Sequence, residues 1–149
     1  MLDAALEARG DAAGSGDAII LLGVTVLTSM DESDLSWANL GETTIRDLVV
    51  RFALSGAERG LDGVVCSARE AQAVKSACGP SFICLTPGIR PIRPRDDQKR
   101  ITTPAAATQA GSDFLVVGRP VTRPGPGTTP IEAARSIMAE VEQTLASGR

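Results

Sequence analysis

Four short apolar runs that alternate with helical patterns constrain the fold of this chain more than any other feature. The runs have strand length, are rich in β-branched residues and are nearly free of charge; they occupy residues 18–26, 63–66, 82–85 and 113–117. Runs of this kind are typical of parallel strands that are covered on both faces, and helical segments between them predict βα units. The pattern therefore predicts an α/β fold with a parallel sheet.

Capping signals predict where the helices between these runs begin. Ser67 and Glu70 have the spacing of a capping box, in which side chain and backbone satisfy each other's hydrogen bonds. Thr103 and Thr129 each precede a proline, which places a hydroxyl at the N-cap and proline at the first helical position. A left-handed C-terminal cap is predicted at Gly60, and helix ends are predicted at Gly79 and Gly111.

Two helices also show an apolar stripe at helical spacing, which predicts the face that each one buries. In the helix before Gly60 the predicted buried residues are Ile45, Leu48, Val49, Phe52 and Ala53. In the last helix they are Ile131, Ala134, Met138, Val141 and Leu145.

The number of βα units sets the expected architecture. Four units are half of a TIM (β/α)8 barrel, which typically takes about 250 residues, whereas this chain has 149. A helical pattern at residues 2–9 comes first, with no strand before it. We interpret residues 1–16 as the remnant of a preceding helix and loop, and residues 17–149 as a C-terminal half-barrel. A small, complete doubly wound sheet is the alternative on pattern alone.

Composition excludes several functional classes. The net charge is −3 and the basic residues are scattered, which argues against binding to nucleic acid. The longest apolar run is about half of the ~20 residues of a membrane span, and the acidic N-terminus lacks a signal-peptide pattern. With no histidine and three cysteines outside any CxxC motif, neither a Ser-His-Asp triad nor a metal site is expected. A cytoplasmic protein without a metal is expected.

Ligand-binding groups of parallel βα proteins gather where strands end, so the residues after each run are candidates. Thr28 and Ser29 follow the first run and can hydrogen-bond a polar ring edge, or can cap the next helix. Gly118 and Arg119 follow the fourth run. Glycine lets a backbone amide approach an anion and arginine suits phosphate, although a plain turn is the alternative.

The two middle runs are followed by a cap and by a long loop. Ser67, after the second run, is explained by helix capping alone. Residues 87–102, after the third run, form a charged, proline-rich segment longer than most loops of a compact domain. Its length predicts a binding loop or lid, and a solvated connection is the alternative.

Four strings place the chain beside a known family. They are VTVLTSMDESDL (24–35), GLDGVVCSAREA (60–71), LTPGIRP (85–91) and DDQKRITTPAAATQAGSDFLVVGRPVT (96–122). In this order and spacing they resemble the second half of bacterial orotidine 5′-phosphate decarboxylases, over residues 17–145. The resemblance implies a half-barrel rather than a doubly wound sheet.

The resemblance also implies a reaction and its binding residues. The family converts orotidine 5′-monophosphate to uridine 5′-monophosphate and CO₂ in pyrimidine synthesis, without a cofactor, and its members are commonly homodimers. The family's pyrimidine contacts match Thr28 and Ser29. Its phosphate contacts match four residues of this chain: Arg90, Gln98, Gly118 and Arg119.

The family's catalytic segment, a DxKxxDI-type string of lysine and aspartate, does not occur in this sequence. Lys75 and Lys99 are the only lysines, and Asp62 and Asp113 stand at strand starts, away from the ligand end. No catalytic residue is therefore assigned, and the chain alone is expected to be inactive.

Three interpretations of function remain open. The first is a decarboxylase seen as a C-terminal fragment. The second is a non-catalytic, phosphate-binding half-barrel that assembles with a separate N-terminal half. The third is a related barrel decarboxylase that acts on a sugar phosphate, against which the strings GIRP, DDQ and GRP argue.

Overall fold

A computed structural model of the protein describes residues 1–12, 19–38, 43–91 and 102–147. Its strands are β1 Leu22–Val24, β2 Gly63–Val65, β3 Ile83–Thr86 and β4 Phe114–Leu115. Its α-helices are α1 Leu2–Ala12, α2 Ile45–Glu58, α3 Ala68–Cys78, α4 Pro104–Gln109, α5 Arg119–Thr122 and α6 Pro130–Ser147. A 3-10 helix, Glu32–Ala38, lies between β1 and α2.

The four strands form one parallel sheet in the order β1-β2-β3-β4. Each strand pairs with the next one along the chain, so that Gly63 of β2 lies between Leu22 of β1 and Ile83 of β3. A doubly wound sheet reverses its strand order at a switch point, whereas a barrel adds its strands consecutively. The observed order confirms the prediction of successive barrel-type βα units.

Three of the four strands are shorter than the apolar runs that predicted them. The first run was predicted as residues 18–26, but only Leu22–Val24 pair as a strand, and residue 18 lies outside the described residues. Ile19 and Ile20 come before the paired segment and are about half exposed. An apolar run predicts which residues are buried in the complete fold, and only part of such a run forms the hydrogen-bonded strand.

The buried core lies between the sheet and the helices that follow β1 and β2. Val64 and Cys84, on adjacent strands, pack against Val49 of α2 and Val74 of α3, and all four side chains are nearly inaccessible. The close packing of this layer gives the sheet one fully covered face.

The opposite face of the sheet is open, which corrects the expectation that both faces would be covered. Val24, Val65, Leu85 and Phe114 lie side by side in the register of the four strands. Successive side chains of a strand alternate between faces, so this row points away from the core layer. Val24 is 65% exposed and Phe114 is 52% exposed. In a closed barrel this row faces the interior.

Gly63 shows why the centre of the sheet needs glycine. A Cβ built on Gly63 would lie 2.2 Å from the carbonyl oxygen of Ile83, far inside contact distance. Any side chain at this position would push β2 and β3 apart.

The helix-capping predictions are largely confirmed. The Thr103 hydroxyl accepts a hydrogen bond from Ala106 N, and Thr129 and Glu132 form a reciprocal box at the start of α6. Ser67 caps α3, but its hydroxyl accepts from Arg69 N and not from Glu70 N as the predicted capping box requires. Gly60 has the predicted positive φ, and the helix-ending glycines Gly79 and Gly111 have positive φ as well. A further box at the start of α2, between Thr44 and Asp47, was not anticipated.

The predicted buried face of α6 is wrong. Ile131, Met138 and Leu145 are each more than half exposed, and the buried residue is Ile137. The side of α6 that carries Ile137 and Glu140 packs on α4, where Glu140 Oε1 accepts a hydrogen bond from Ala105 N at 2.9 Å. Phe52, predicted as buried in α2, is also 48% exposed.

Candidate functional site

The segment after β3 holds Arg90 in a fixed position. Gly88 adopts a φ of 81°, a left-handed conformation that glycine tolerates and that turns the chain sharply. Arg90 N then donates to Thr102 O at 2.9 Å, and Thr102 N donates to Gly88 O at 3.2 Å. These bonds join the two ends of the predicted binding loop, so the base of the loop is part of the folded structure.

The Arg90 side chain is unusually buried for an arginine. Only 5% of the residue is exposed, and its Nη1 donates to the carbonyl oxygen of Ile89 at 2.9 Å. A guanidinium group keeps its positive charge when it is buried. Such a cation, held rigidly at the carboxyl end of β3, is well placed to attract an anion.

The segment after β4 presents Gly118 and Arg119. The backbone leaves β4 through a hydrogen bond from Val116 N to Thr86 O at 2.9 Å, and Gly118 directly precedes α5. Both Gly118 and Arg119 are exposed. A Cβ on Gly118 would meet no atom within 4 Å, so the space beside its backbone is open to a ligand.

Arg90 and Arg119 line the same cleft, which has a volume of about 500 Å³. The cleft lies between the loop after β3, the short helix α5 and the first turns of α6. Two predicted phosphate contacts from different strands are thus brought together. The other charged and hydroxyl side chains of the lining are Arg123, Thr128, Glu132 and Ser136.

Arg123 is the cationic residue of the cleft that the sequence analysis missed. It directly follows Thr122, the last residue of α5, and its backbone N donates to Arg119 O at 2.8 Å. No motif in the sequence marks this position.

Glu132 is the carboxylate of the cleft lining, and it is engaged in capping α6. Its Oε2 accepts hydrogen bonds from Thr129 N at 2.8 Å and from the Thr129 hydroxyl at 2.9 Å. These two bonds, the backbone bond first, hold the pKa of Glu132 below its usual value. The group is therefore ionised at neutral pH and fixed against its own helix.

Thr28 and Ser29 lie apart from this cleft. They follow β1, at the opposite edge of the sheet from β4, and neither lines the cleft. Thr28 is buried and Ser29 is exposed. Neither residue caps the following 3-10 helix, because it is Asp31 that accepts the hydrogen bonds from the backbone N–H groups of Ser33 and Asp34.

The remaining predicted residues fall in two places. Gln98 and Lys99 lie outside the described residues. Asp62 and Asp113 lie at the amino-terminal ends of β2 and β4, as predicted, and so at the end of the sheet away from the cleft. Lys75 is at that end too, because its Nζ contacts Asp113 at 2.7 Å.

The described part of the chain contains no group of three or more potential metal-binding side chains. It also contains no helix with the length and apolar character needed to cross a membrane.

Comparison with known proteins gives the family. The model of the "Orotidine 5'-phosphate decarboxylase / HUMPS family" matches residues 1–137. The chain belongs to this family. The match includes residues 1–16 as well as the segment in which the motifs were recognised.

Similar proteins agree with this assignment. The chain is 52% identical over 150 residues to an orotidine 5′-phosphate decarboxylase of Nitratidesulfovibrio vulgaris, covering 95% of this chain and 58% of that protein. It is 46% identical over 144 residues to the enzyme of Maridesulfovibrio salexigens, covering 95% and 59%. The crystal structure of the Lactobacillus acidophilus enzyme matches with 32% identity and a TM-score of 0.67, covering 84% of this chain and 50% of that one.

The chain therefore spans between half and three-fifths of the length of these relatives. Its four consecutive parallel βα units are the C-terminal half of the (β/α)8 barrel of the family.

Proposed function

We propose that this chain forms the phosphate- and pyrimidine-binding half of an orotidine 5′-phosphate decarboxylase. The reaction is loss of CO₂ from orotidine 5′-monophosphate to give uridine 5′-monophosphate. The observation that carries the proposal is that Arg90 and Arg119 line one cleft at the carboxyl end of the sheet.

The chemistry of the cleft suits a phosphate monoester. Two guanidinium groups can each donate a pair of charge-assisted hydrogen bonds to phosphate oxygens. The open space beside Gly118 allows a phosphate oxygen to approach the backbone there. Gln98, outside the described residues, is proposed as a further contact on the basis of the family motif alone.

Thr28 and Ser29 are proposed as contacts to the pyrimidine ring. They lie at the carboxyl end of β1, and the row of side chains between β1 and β4 faces what is the barrel interior in a closed fold. A nucleotide with its phosphate at Arg119 and its base near Ser29 would extend across the mouth of the barrel. The separation of the two pairs of residues is thus consistent with one elongated substrate.

The decarboxylation step requires groups that this chain does not provide. Lys75 is engaged with Asp113 and with Pro80 O at the amino-terminal end of the sheet. Phosphate binding contributes to catalysis indirectly, because binding energy from a remote group can be used to orient the reacting part of the substrate. The role proposed here is to bind and position the substrate.

A chimaeric barrel tests this function. The N-terminal half of the Nitratidesulfovibrio vulgaris relative is joined to residues 17–149, and decarboxylation of orotidine 5′-monophosphate is measured. Arg119→Ala should lower kcat/KM roughly 10- to 150-fold, the effect of losing charged hydrogen bonds worth about 1.5–3 kcal/mol. Arg135→Ala, an exposed arginine of α6 outside the cleft, is the matched control.

Orotidine, which lacks the phosphate, distinguishes a phosphate-binding role of Arg119 from a structural role. Its slow decarboxylation should be nearly unchanged by Arg119→Ala. An equal loss with both substrates would assign Arg119 a structural role and refute the proposal.

A further inference from the structure

The exposed apolar side chains of the molecule are concentrated at the two outer edges of the sheet. Within the part of the chain that the structure describes, β1 pairs with β2 alone and β4 pairs with β3 alone. Of the twelve large apolar side chains that are exposed there, nine lie on or beside β1, β4 and α6: Ile19, Ile20, Val24, Leu27, Phe114, Val116, Ile131, Met138 and Leu145. Clustered exposure of this kind marks an interaction surface.

A groove makes the β4 edge and α6 one continuous surface. The groove has a volume of about 450 Å³ and is lined mainly by apolar side chains of the two elements, among them Phe114, Leu115, Met138 and Val141. An apolar stripe on a helix is normally buried against another element, but Met138 is 60% exposed. The surface therefore lacks a partner beside β4.

A second copy of the chain carries a strand edge that fits the open edge of β4. All four strands are parallel, so a two-fold axis along the strands leaves every strand direction unchanged and sets β1 of each copy beside β4 of the other. Two four-stranded sheets joined in this way have eight strands, the number at which side chains fill a barrel interior. All edges are then paired in a closed, two-fold dimer.

The register of the two edges follows from barrel geometry. An eight-stranded barrel of this type closes with a total displacement of about eight residues, so each half supplies about four. Val24 and Phe114 lie in one row, and pairing begins at Phe114 in β4 but at Leu22, two residues before that row, in β1. The strands thus rise from β1 to β4. The same rise sets Phe114 beside Ile20 of the second copy and Val116 beside Leu22. Because four is an even number, these side chains stay on the interior face.

We propose that two copies of this chain close an eight-stranded barrel, in which β4 of each copy pairs with residues 20–24 of the other. The nine apolar side chains and two strand edges of each copy present a surface of the order that a stable dimer buries, about 800 Å² per partner. Closure also places Thr28 and Ser29 of the second copy after the strand that adjoins Gly118 and Arg119. The assembly does not depend on which ligand the cleft binds.

Cross-linking of the 149-residue chain tests this arrangement. Ile20→Cys and Phe114→Cys are expressed together and oxidised, both with Cys78→Ser because the other two thiols are buried. A disulfide-linked dimer should form in the mixture and be absent from either variant alone, since like residues lie on opposite sides of a two-fold barrel. Val24→Cys with Phe114→Cys is the matched control. It is four residues, about 13 Å, out of register and should not cross-link.

Light scattering of the unsubstituted chain is the second measurement, and the mass should be twice the 15.4 kDa of one chain. A monomer or open-ended aggregates would overturn the closed dimer. Disulfide-linked dimers within either variant alone would also overturn it, because they indicate a different contact between copies. A monomer that forms a complex with the N-terminal half of the Nitratidesulfovibrio vulgaris relative would assign the open edges to that half instead.

Discussion

The carboxylate of Asp113 accepts a hydrogen bond from the backbone N–H of Cys84 at 2.7 Å, which ties the start of β4 to β3. The same oxygen accepts from Lys75 Nζ at 2.7 Å. Asp62 repeats the arrangement at the start of β2, with Leu21 N and Arg9 as donors, also at 2.7 Å. Asp62 and Asp113 therefore hold neighbouring strands in register at the end of the sheet that is remote from the cleft.

Removal of the Asp113 carboxylate should destabilise the fold measurably. Asp113→Ala loses a charged hydrogen bond to the backbone and a partly buried ion pair, so the free energy of unfolding should fall by about 2 kcal/mol. Urea unfolding measures the change. Asp3→Ala is the control, because the Asp3–Arg59 pair is largely exposed and should contribute less than about 0.5 kcal/mol. Equal losses in both variants would contradict the structural role of Asp113.

The cap formed by Thr129 and Glu132 should make stability depend on pH. Its hydrogen bonds lower the pKa of Glu132 from its ordinary value of 4.5, so the folded state favours the ionised carboxylate. The stabilisation is present above pH 4.5 and is lost as pH falls through the lowered pKa. Glu132→Gln should therefore be destabilising at pH 7, and this difference from the unsubstituted chain should shrink towards pH 3.

Thr129→Ala provides the check on this mechanism, since it removes the hydroxyl that donates to Glu132 while the backbone N–H of residue 129 and the carboxylate remain. Unfolding curves between pH 3 and 7 should show a smaller difference that also shrinks towards pH 3, and the two substitutions together should cost less than the sum of their separate effects. A difference that stays constant across this range would mean that the cap does not depend on the charge of Glu132.

Gly118→Ala should affect ligand binding more than folding. A methyl group on Gly118 meets no atom of the described chain within 4 Å, so the free energy of unfolding should change by about 1 kcal/mol or less. The methyl would occupy the space proposed for a phosphate oxygen, and phosphate affinity should fall about tenfold. Unchanged affinity with unchanged stability would place the phosphate elsewhere.

The open face and edges of the sheet should cause the isolated chain to self-associate. Val24 of β1 and Val116 after β4 are 65% and 45% exposed, and exposed apolar strand edges recruit other chains. Val24→Lys with Val116→Lys should shift size-exclusion and light-scattering profiles towards the monomer. Leu54→Lys, an exposed apolar position of α2, should leave the association unchanged. If the unsubstituted chain is a monomer, these exposed strand residues do not recruit another copy of the chain and the prediction is wrong.

Local signals in the sequence predicted the fold well where the chemistry is local. The cap at Thr129 and Glu132 depends on residues three positions apart, and the βα alternation depends on short runs. The buried face of α6 was mispredicted because two adjacent sides of the helix are apolar. Only packing on α4 selects the side of Ile137 over that of Met138.

Only part of the candidate site was predicted from the sequence, again because local signals are visible there and packing between helices is not. Arg119 stood out because it follows a strand, and the parallel sheet brings such positions to one end. Arg90 was assigned by the resemblance to the family. Arg123 stands just past the end of α5, and its membership of the cleft depends on how α5 packs against α6. No short motif in the sequence encodes that contact.

Titration of the ¹⁵N-labelled chain with uridine 5′-monophosphate, followed by NMR, tests the central claim most directly, namely that this cleft binds the phosphate of the nucleotide. The account predicts saturable shifts of the amides of Gly118, Arg119 and Arg90, absent with uridine and abolished by Arg119→Gln. Equal shifts with uridine, or saturation at amides remote from the cleft, would contradict it.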